Sequence, residues 1–310
     1  MLSRRQLRIK VLQALYAFFQ SDKTDLAVAE RELFRSIGKV YELYIYLLQL
    51  LIELADADQS HAGDLHLKYF PSEAEMQAKN RLSTISFIAK LSADPGFNAH
   101  VKKFGTSWQK NHELVRKLFM EINKSPEYLA FLGSEPESEK EFLCEVVKKF
   151  LVSSTSLVHH IDEENILWED DFEFVCQMVI RTIRAYYEQN QFQLMSLYKD
   201  EADDMEFARE LFVKTILHNK EYEGAISERT KNWEVDRIAL MDILILKMAL
   251  AELVSFPGIP VKVSINEYID ISKEYSTPKS KQFVNGIIDK LAADYKEQGK
   301  IVKTGRGLIG

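Results

Sequence analysis

Apolar residues recur at steps of three and four through most of this 310-residue chain, and no segment shows the two-residue alternation of a β-strand. Such steps are the period of a helix with one buried face. Only 12 glycines and 7 prolines are present, too few for a fold built from many tight turns. The pattern predicts an all-α protein with helices at about 4–20, 26–55, 73–92, 97–123, 136–154, 164–197, 204–222, 234–255, 264–275 and 278–298.

The composition, 46% hydrophobic, indicates a globular protein of about two domains. Cys144 and Cys176 lie in apolar helical patterns, which predicts that both thiols are buried, reduced and inert. The most apolar run, residues 43–55, contains Gln49 and Glu53 and is too short to span a bilayer. No secretory signal is visible, so we expect a soluble, cytoplasmic protein without membrane contact.

Charge is unevenly distributed along the chain. The net charge of −7 argues against indiscriminate binding to nucleic acids. Residues 1–10 nevertheless carry four basic residues and no acid, and residues 259–310 carry nine basic residues against six acids. Two basic ends therefore flank an acidic middle.

The first helix begins with Arg4, Arg5 and Arg8, which fall largely off its apolar stripe. Positive charge at a helix N-terminus opposes the helix dipole and costs on the order of a few tenths of a kcal/mol. Something else must favour these arginines there. One interpretation is contact with RNA phosphates, and the other is a solvated basic end.

The start of the last helix is a second basic cluster. Thr277-Pro278 predicts an N-cap followed by proline at the first helical position. A helix N-terminus presents free amides to an anion, and lysines with a partly exposed aromatic ring would hold a phosphate and stack an unpaired base. The first turns contain Lys279, Ser280, Lys281, Gln282 and Phe283. Phe283 also borders the buried stripe, so a core position is the alternative.

An Asn-Gly pair, Asn285-Gly286, lies in the middle of this helix. Glycine there costs about 1 kcal/mol relative to alanine, so a packing reason is expected. We predict that Gly286 lets the last helix approach the 234–255 helix closely, and that Asn285 ties it to a neighbour. The preceding helix is predicted to begin at a capping box formed by Ser264 and Glu267.

The sequence contains no catalytic constellation. It has no Gly-rich phosphate loop and no GxSxG, CxxC or HExxH motif. His159 and His160 precede Asp162, but adjacent histidines point to different sides of a helix and make a poor chelating pair. We expect no enzyme activity, no cofactor and no metal site.

The segment RIALMDILILKMALAEL, followed by IPVKVSINEYIDISKEYSTPKSKQFVNGIIDKLA, resembles the C-terminal part of the NusB family of bacterial transcription antitermination factors. The opening SRRQLRIKVLQALYAF resembles the start of the same family. The resemblance implies an all-helical, non-catalytic RNA-binding protein. It also implies binding of boxA-type leader RNA of ribosomal RNA transcripts, together with the small-subunit ribosomal protein NusE, in the RNA polymerase antitermination complex.

The resemblance assigns roles to individual residues. The family's Ser-x-Lys-Phe-Val-Asn-Gly motif falls on residues 280–286, with Gln282 in place of the family's lysine. The acidic partner-binding position falls on Asp242, and Asn285 and Gly286 are structural. The implied RNA-contacting residues are Arg4, Arg5, Arg8, Lys279, Ser280, Lys281, Gln282 and Phe283.

The resemblance, together with the basic, glycine-containing composition of the last residues, divides the chain into four parts. Residues 1–29 are the first helix of the NusB-like core, 30–199 an acidic helical insertion or expanded N-terminal bundle, 200–298 the C-terminal bundle, and 299–310 a flexible basic tail. The alternative function is a NusB-fold interaction scaffold that no longer binds RNA. An RNA-targeting module of a ribosomal RNA methyltransferase is disfavoured, because no strand-rich cofactor-binding domain follows the last helix.

Overall fold

The computed structural model of this chain describes residues 1–21, 25–65, 78–230 and 239–308. Within these ranges the structure consists of helices and connecting loops, and no strand is present. The predicted all-α class is confirmed. The α-helices are α1 (Arg4–Gln20), α2 (Leu26–Leu65), α3 (Ser86–Ala93), α4 (Pro95–Phe104), α5 (His112–Asn123), α6 (Pro126–Leu132), α7 (Glu139–Glu145), α8 (Thr155–Glu164), α9 (Phe172–Gln189), α10 (Glu201–Leu217), α11 (Asn219–Arg229), α12 (Leu240–Ser255), α13 (Val261–Tyr275) and α14 (Ser280–Glu297).

Shorter helical pieces connect some of these elements. Val146–Leu151 is a π-helical stretch that continues α7. Turns of 3₁₀-helix are Leu82–Thr84, Pro136–Ser138, Ile166–Asp171 and Gly305–Leu308. Among the described residues, no helix has both the length and the apolar composition needed to cross a lipid bilayer.

The chain forms two compact units. The terminal unit comprises residues 2–37 and 198–310, and the central unit comprises 38–197 together with Met1. The division falls inside α2, between Ile37 and Gly38.

In the terminal unit, α12 lies at the centre and contacts α1, α10, α11, α13 and α14. Every residue from Leu244 to Leu253 is buried, including Lys247 and Glu252. A helix that is apolar all round belongs in a core, which agrees with the predicted helix ending at residue 255. The predicted start of that helix, at residue 234, lies outside the described residues.

In the central unit, the second half of α2 supplies much of the core. The indole Nε1 of Trp108 donates a hydrogen bond to the carbonyl of Tyr46 at 3.0 Å, and the two rings stack with centroids 4.2 Å apart. Cys144 and Cys176 are both buried free thiols, which confirms the predicted burial. Burial raises the pKa of Cys176 to about 12, so this thiol stays protonated.

Several helix boundaries differ from the sequence prediction in this unit; the predicted helix 164–197, for example, is α9 from Phe172 to Gln189. Helix α2 continues to Leu65 instead of ending near residue 55. The buried Asp58 in the added turns accepts hydrogen bonds from the Ser83 hydroxyl at 2.9 Å and from Tyr128, so a polar segment is held in the helix by partners distant in sequence. The predicted helix 97–123 is two helices, because Gly105 ends α4 with a left-handed φ of 67°.

The last two helices begin at other residues than predicted. Helix α13 starts at Val261, directly after Pro260, so Ser264 lies inside the helix and is not its N-cap. Its hydroxyl donates to Glu252 at 2.7 Å, and Glu267 accepts hydrogen bonds from Arg5, so both capping-box residues bind tertiary partners. Helix α14 starts at Ser280, two residues beyond the proline at position 278 that was predicted to open it.

The segment after α14 is packed in its described part, to residue 308, and is not the predicted flexible tail. The amide of Thr304 donates to the carbonyl of Pro257 at 3.0 Å, and Nζ of Lys303 donates to the carbonyl of Phe256 at 2.9 Å. A Cβ on Gly307 would lie 1.9 Å from the Pro257 carbonyl oxygen, so only glycine permits this approach. Glycine here serves close packing, which composition alone does not distinguish from flexibility.

Candidate nucleic-acid interface

The arginines of α1 are positioned by the cap of that helix. The Ser3 hydroxyl accepts from the amide of Gln6 at 3.4 Å, while Oε1 of Gln6 accepts from the Ser3 amide at 3.1 Å. This capping box fixes the start of α1, whose arginines pair with carboxylates of α10, α12 and α13.

Arg8 is buried, with 2% of its surface exposed. Its Nε and Nη2 atoms donate to the two carboxylate oxygens of Glu252 at 2.7 and 2.8 Å. Ser264 and Tyr268 donate to the same carboxylate at 2.7 and 2.9 Å, so the buried charge pair is fully hydrogen-bonded on the acid side. Arg8 is therefore occupied inside the terminal unit, and a phosphate contact would require breaking this pair.

Arg5 also binds carboxylates of the same unit. Its Nε atom donates to Glu267 at 3.0 Å, and Nη2 donates to Asp270 at 2.8 Å. The ammonium group of Lys273, with Arg5 adding to the effect, holds the pKa of Asp270 below its usual value. About a third of the Arg5 side chain, 35%, remains exposed.

Arg4 pairs with Asp203 and Asp204 at the start of α10, and its guanidinium lies 4.3 Å from the ring centre of Phe207. A groove of about 1090 Å³ opens beside these arginines and is lined also by Glu206 and Glu210. Carboxylates therefore offset the positive charge that the helix dipole disfavours at the start of α1.

The first turn of α14 is open on its polar side. Lys279, Lys281 and Gln282 are exposed. Ser280 is only 2% exposed, and its hydroxyl donates to Oδ2 of Asp242 at 2.8 Å. Phe283 is 8% exposed, so it occupies the core position that was the alternative to base stacking.

Asp242 lies at the start of α12 and is 5% exposed. Its bond to Ser280 holds the beginning of α14 against α12. The second oxygen, Oδ1, is buried and accepts no hydrogen bond from the described residues. In this structure the predicted partner-binding carboxylate is thus an internal link beneath the lysines of α14.

The packing hypothesis for Asn285 and Gly286 is wrong. Both residues are exposed, and a Cβ on Gly286 would meet no atom within 4 Å. The described contacts include no hydrogen bond from Asn285 to a neighbouring helix. The Asn-Gly pair lies on the exposed side of α14, away from the buried residues Phe283, Val284, Ile287 and Ile288.

Residues 172–293, from α9 to near the end of α14, match the sequence model of the NusB family. Three proteins named "Transcription antitermination protein NusB" are similar to this chain. The one from Salinibacter ruber is 48% identical over 105 residues, which are 34% of this chain and 66% of the relative. The one from Geobacter sulfurreducens is 36% identical over 111 residues, 34% of this chain and 80% of the relative.

This chain belongs to the NusB family. The third relative, from Chloroherpeton thalassium, is 40% identical over 98 residues, 31% of this chain and 46% of its own length. The chain thus spans about two thirds and about half of the first two NusB proteins. No solved structure matches the chain. The NusB match includes α9, which the predicted division places in the 30–199 segment, and that division stays a prediction.

Sequence reasoning missed the carboxylates that bind the NusB-like N-terminal arginines. Glu252 is the clearest case, because a charged residue inside the very apolar run of α12 signals a buried partner. Asp270 and Asp203 lie in ordinary polar positions and carry no such signal.

One of the two histidines considered for a metal site, His160, is engaged elsewhere. Nε2 of His160 lies 2.8 Å from the Tyr46 hydroxyl, and burial lowers the pKa of His160. Among the described residues no three His, Cys, Asp or Glu side chains are grouped as metal ligands would be.

Proposed function

We propose that this chain is an RNA-binding transcription antitermination factor. In this proposal it recognises boxA-type leader RNA of ribosomal RNA transcripts, together with the small-subunit ribosomal protein NusE, in the RNA polymerase antitermination complex. The observation that carries the proposal is the similarity, at 36 to 48% identity, to proteins named as NusB antitermination proteins. The NusB family is not a family of enzymes, and the proposed role is cytoplasmic.

The proposed RNA contact is centred on the start of α14. Lys279 and Lys281 are exposed cations beside a helix N-terminus, where free amides and the dipole both favour a phosphate. Gln282 adds an exposed amide that can hydrogen-bond a phosphate or a base edge. Ser280 supports this surface from below through its bond to Asp242.

The arginines of α1 differ in how accessible they are to RNA. Arg4 and Arg5 keep 32% and 35% of their side chains exposed, so a phosphate could share them with their carboxylates. Arg8 and Phe283 are buried and are assigned to the fold. Asp242 would affect NusE binding through the position of α14, because the carboxylate itself is covered.

The test is binding of the purified protein to labelled boxA-type RNA, with and without NusE, across a salt series. A scrambled RNA of the same length is the control. We expect tighter, NusE-enhanced binding to the boxA-type sequence, with a steep loss of affinity between about 50 and 200 mM salt. Equal affinity for both RNAs, in both conditions, would overturn the proposal.

A protein-interaction scaffold without RNA binding is the second candidate. It is favoured by the internal pairing of all three α1 arginines and by the burial of Phe283. The same experiment separates the two functions, because a scaffold would bind NusE while showing no RNA-dependent increase in affinity.

A further inference from the structure

A second groove lies at the far end of α14, between that helix and the start of α13. Its volume is about 470 Å³. The C-terminal segment closes one side, where the contacts of Thr304 and Gly307 with Pro257 hold the chain in place. The floor is apolar and includes Val261, Ile265 and Ala292.

The groove is basic. Lys262, Lys296 and Lys303 line it against a single carboxylate, Asp289. Lys262 and Lys296 are exposed, and neither has an ion pair or side-chain hydrogen bond among the described residues. Lys303 is half-buried, and its ammonium group donates to the Phe256 carbonyl, which fixes it in the wall of the groove. An apolar floor beneath two unpaired ammonium groups fits a ligand that is anionic on one side and apolar on the other.

The groove continues the surface at the start of α14. Lys281, Asn285 and Asp289 are exposed at four-residue steps, which places them on one face of the helix. Lys281 and Lys296 are roughly 22 Å apart along the helix axis, at about 1.5 Å rise per residue. Gly286, next to Asn285, is exposed, and a Cβ added there would meet no atom within 4 Å.

We propose that this groove binds one nucleotide of a single-stranded RNA that runs along α14 from its N-terminal lysines. Lys262 and Lys296 bind the phosphate, and the sugar and base lie on Val261 and Ile265. The proposal rests on the proposed RNA-binding function and extends its contact surface. Charge complementarity requires an anionic ligand, and continuity with the face of Lys281 favours RNA over an acidic peptide. The lysines are assigned to the phosphate and not to base edges, so we expect the contact to be independent of sequence.

The test compares wild-type protein with the double variant Lys262→Ala/Lys296→Ala on three RNAs. The first is a short RNA containing only the boxA-type element, and the others extend it at the 5′ end or at the 3′ end. For one extended RNA we expect on the order of a tenfold loss of affinity in the double variant, with a salt slope lower by roughly 0.7 for one single-strand phosphate contact. The affinity for the short RNA and the preference over scrambled RNA should not change.

Two controls identify the cause. Lys220→Ala removes an exposed lysine of α11 that does not line the groove, and it should leave all affinities unchanged. Lys262→Arg/Lys296→Arg keeps the charge and should retain most of the affinity. If Lys281→Ala weakens RNA binding but the double variant binds both extended RNAs like wild type, the groove proposal is wrong and the proposed function stands.

Two other outcomes would also overturn the proposal. If wild-type protein binds the boxA-type and the scrambled RNAs equally, with and without NusE, the proposed function fails with it. If a polyglutamate peptide binds wild type and not the double variant, while RNA affinity is the same in both, the groove is a site for an acidic protein segment.

Discussion

Helices α1 and α14 of the terminal unit both begin with a cluster of basic residues. The arginines of α1 are bound by carboxylates, with Arg8 buried against Glu252. The lysines at the start of α14, Lys279 just before it and Lys281 in its first turn, are exposed to solvent. Positive charge is thus neutralised by carboxylates at the start of α1 and exposed to solvent at the start of α14.

The difference shows that a basic helix start does not by itself identify an RNA-binding surface. A guanidinium matches a carboxylate with two parallel hydrogen bonds and can be buried with it, whereas a lysine ammonium is a strongly hydrated point charge. The α1 arginines are therefore suited to joining helices, and the α14 lysines to contacting an external phosphate.

The largest expected effect is at Arg8. Arg8→Ala should lower the free energy of unfolding by about 3–5 kcal/mol, because Glu252 would remain buried and lose its cation. Urea denaturation measures this loss. Arg4→Ala is the control, and its partly exposed pair should contribute about 1 kcal/mol or less. An Arg8→Ala protein as stable as wild type but weaker in RNA binding would place Arg8 in the RNA interface.

Phe283 provides the corresponding test on α14. Phe283→Ala should cost about 3–5 kcal/mol of stability, because a buried ring is replaced by a cavity. The exposed neighbour Gln282→Ala should change stability by about 0.5 kcal/mol or less. Thermal unfolding and RNA binding should be measured on the same samples. Unchanged stability with a loss of about 1–3 kcal/mol in RNA affinity would restore the stacking role.

The lysines of α14 should affect binding and not folding. Lys279→Ala/Lys281→Ala should lower the slope of log affinity against log salt by roughly 1.4, and stability should stay within about 0.5 kcal/mol of wild type. Arg5→Ala should lower the slope less, since Glu267 and Asp270 already hold that side chain. A larger decrease in slope for Arg5→Ala than for the lysine double variant would show that α1 contributes more to RNA binding than the start of α14.

Substitution of Gly286 by alanine should change stability in the opposite direction to the same substitution at a tightly packed glycine. Gly286→Ala should raise stability by up to about 1 kcal/mol, because the new Cβ meets no atom within 4 Å and alanine favours the helix. Gly307→Ala is the matched control and should be destabilising, since its Cβ would collide with the Pro257 carbonyl. Marked destabilisation by Gly286→Ala would mean that a neighbour does pack against that position.

The smallest expected effect is the pH dependence at Asp270. Lys273 and Arg5 lower its pKa in the folded protein, so its contribution is complete above the unfolded value and is lost as pH falls through the folded pKa. Asp270→Asn should therefore lose less stability than wild type between about pH 5 and pH 2. Denaturation midpoints across this range test the sign. If wild type and Asp270→Asn lose the same stability over this pH range, the surface pair contributes nothing.

Some features of this fold follow from local pattern and others do not. The helical class, the burial of Cys144 and Cys176, and the end of α12 follow from periodicity along a few turns. Asp58 was expected in a loop, because its buried partners Ser83 and Tyr128 are not visible in the sequence around it. The pattern also identified the apolar stripe of α14. It placed Gly286 at a helix contact although the residue is exposed, because a glycine has no side chain to indicate which face it occupies.

By itself the sequence determined that this chain is helical, that its α12 is buried, and that its two ends are basic. These properties depend on residue type and spacing within one helix. Only the tertiary structure decided which basic residues are neutralised and which are open. Arg8 and Glu252 are 244 residues apart, and their pairing depends on how α1, α12 and α13 meet. The folded C-terminal segment has the same origin, because its contacts exist only once the loop after α12 is in place.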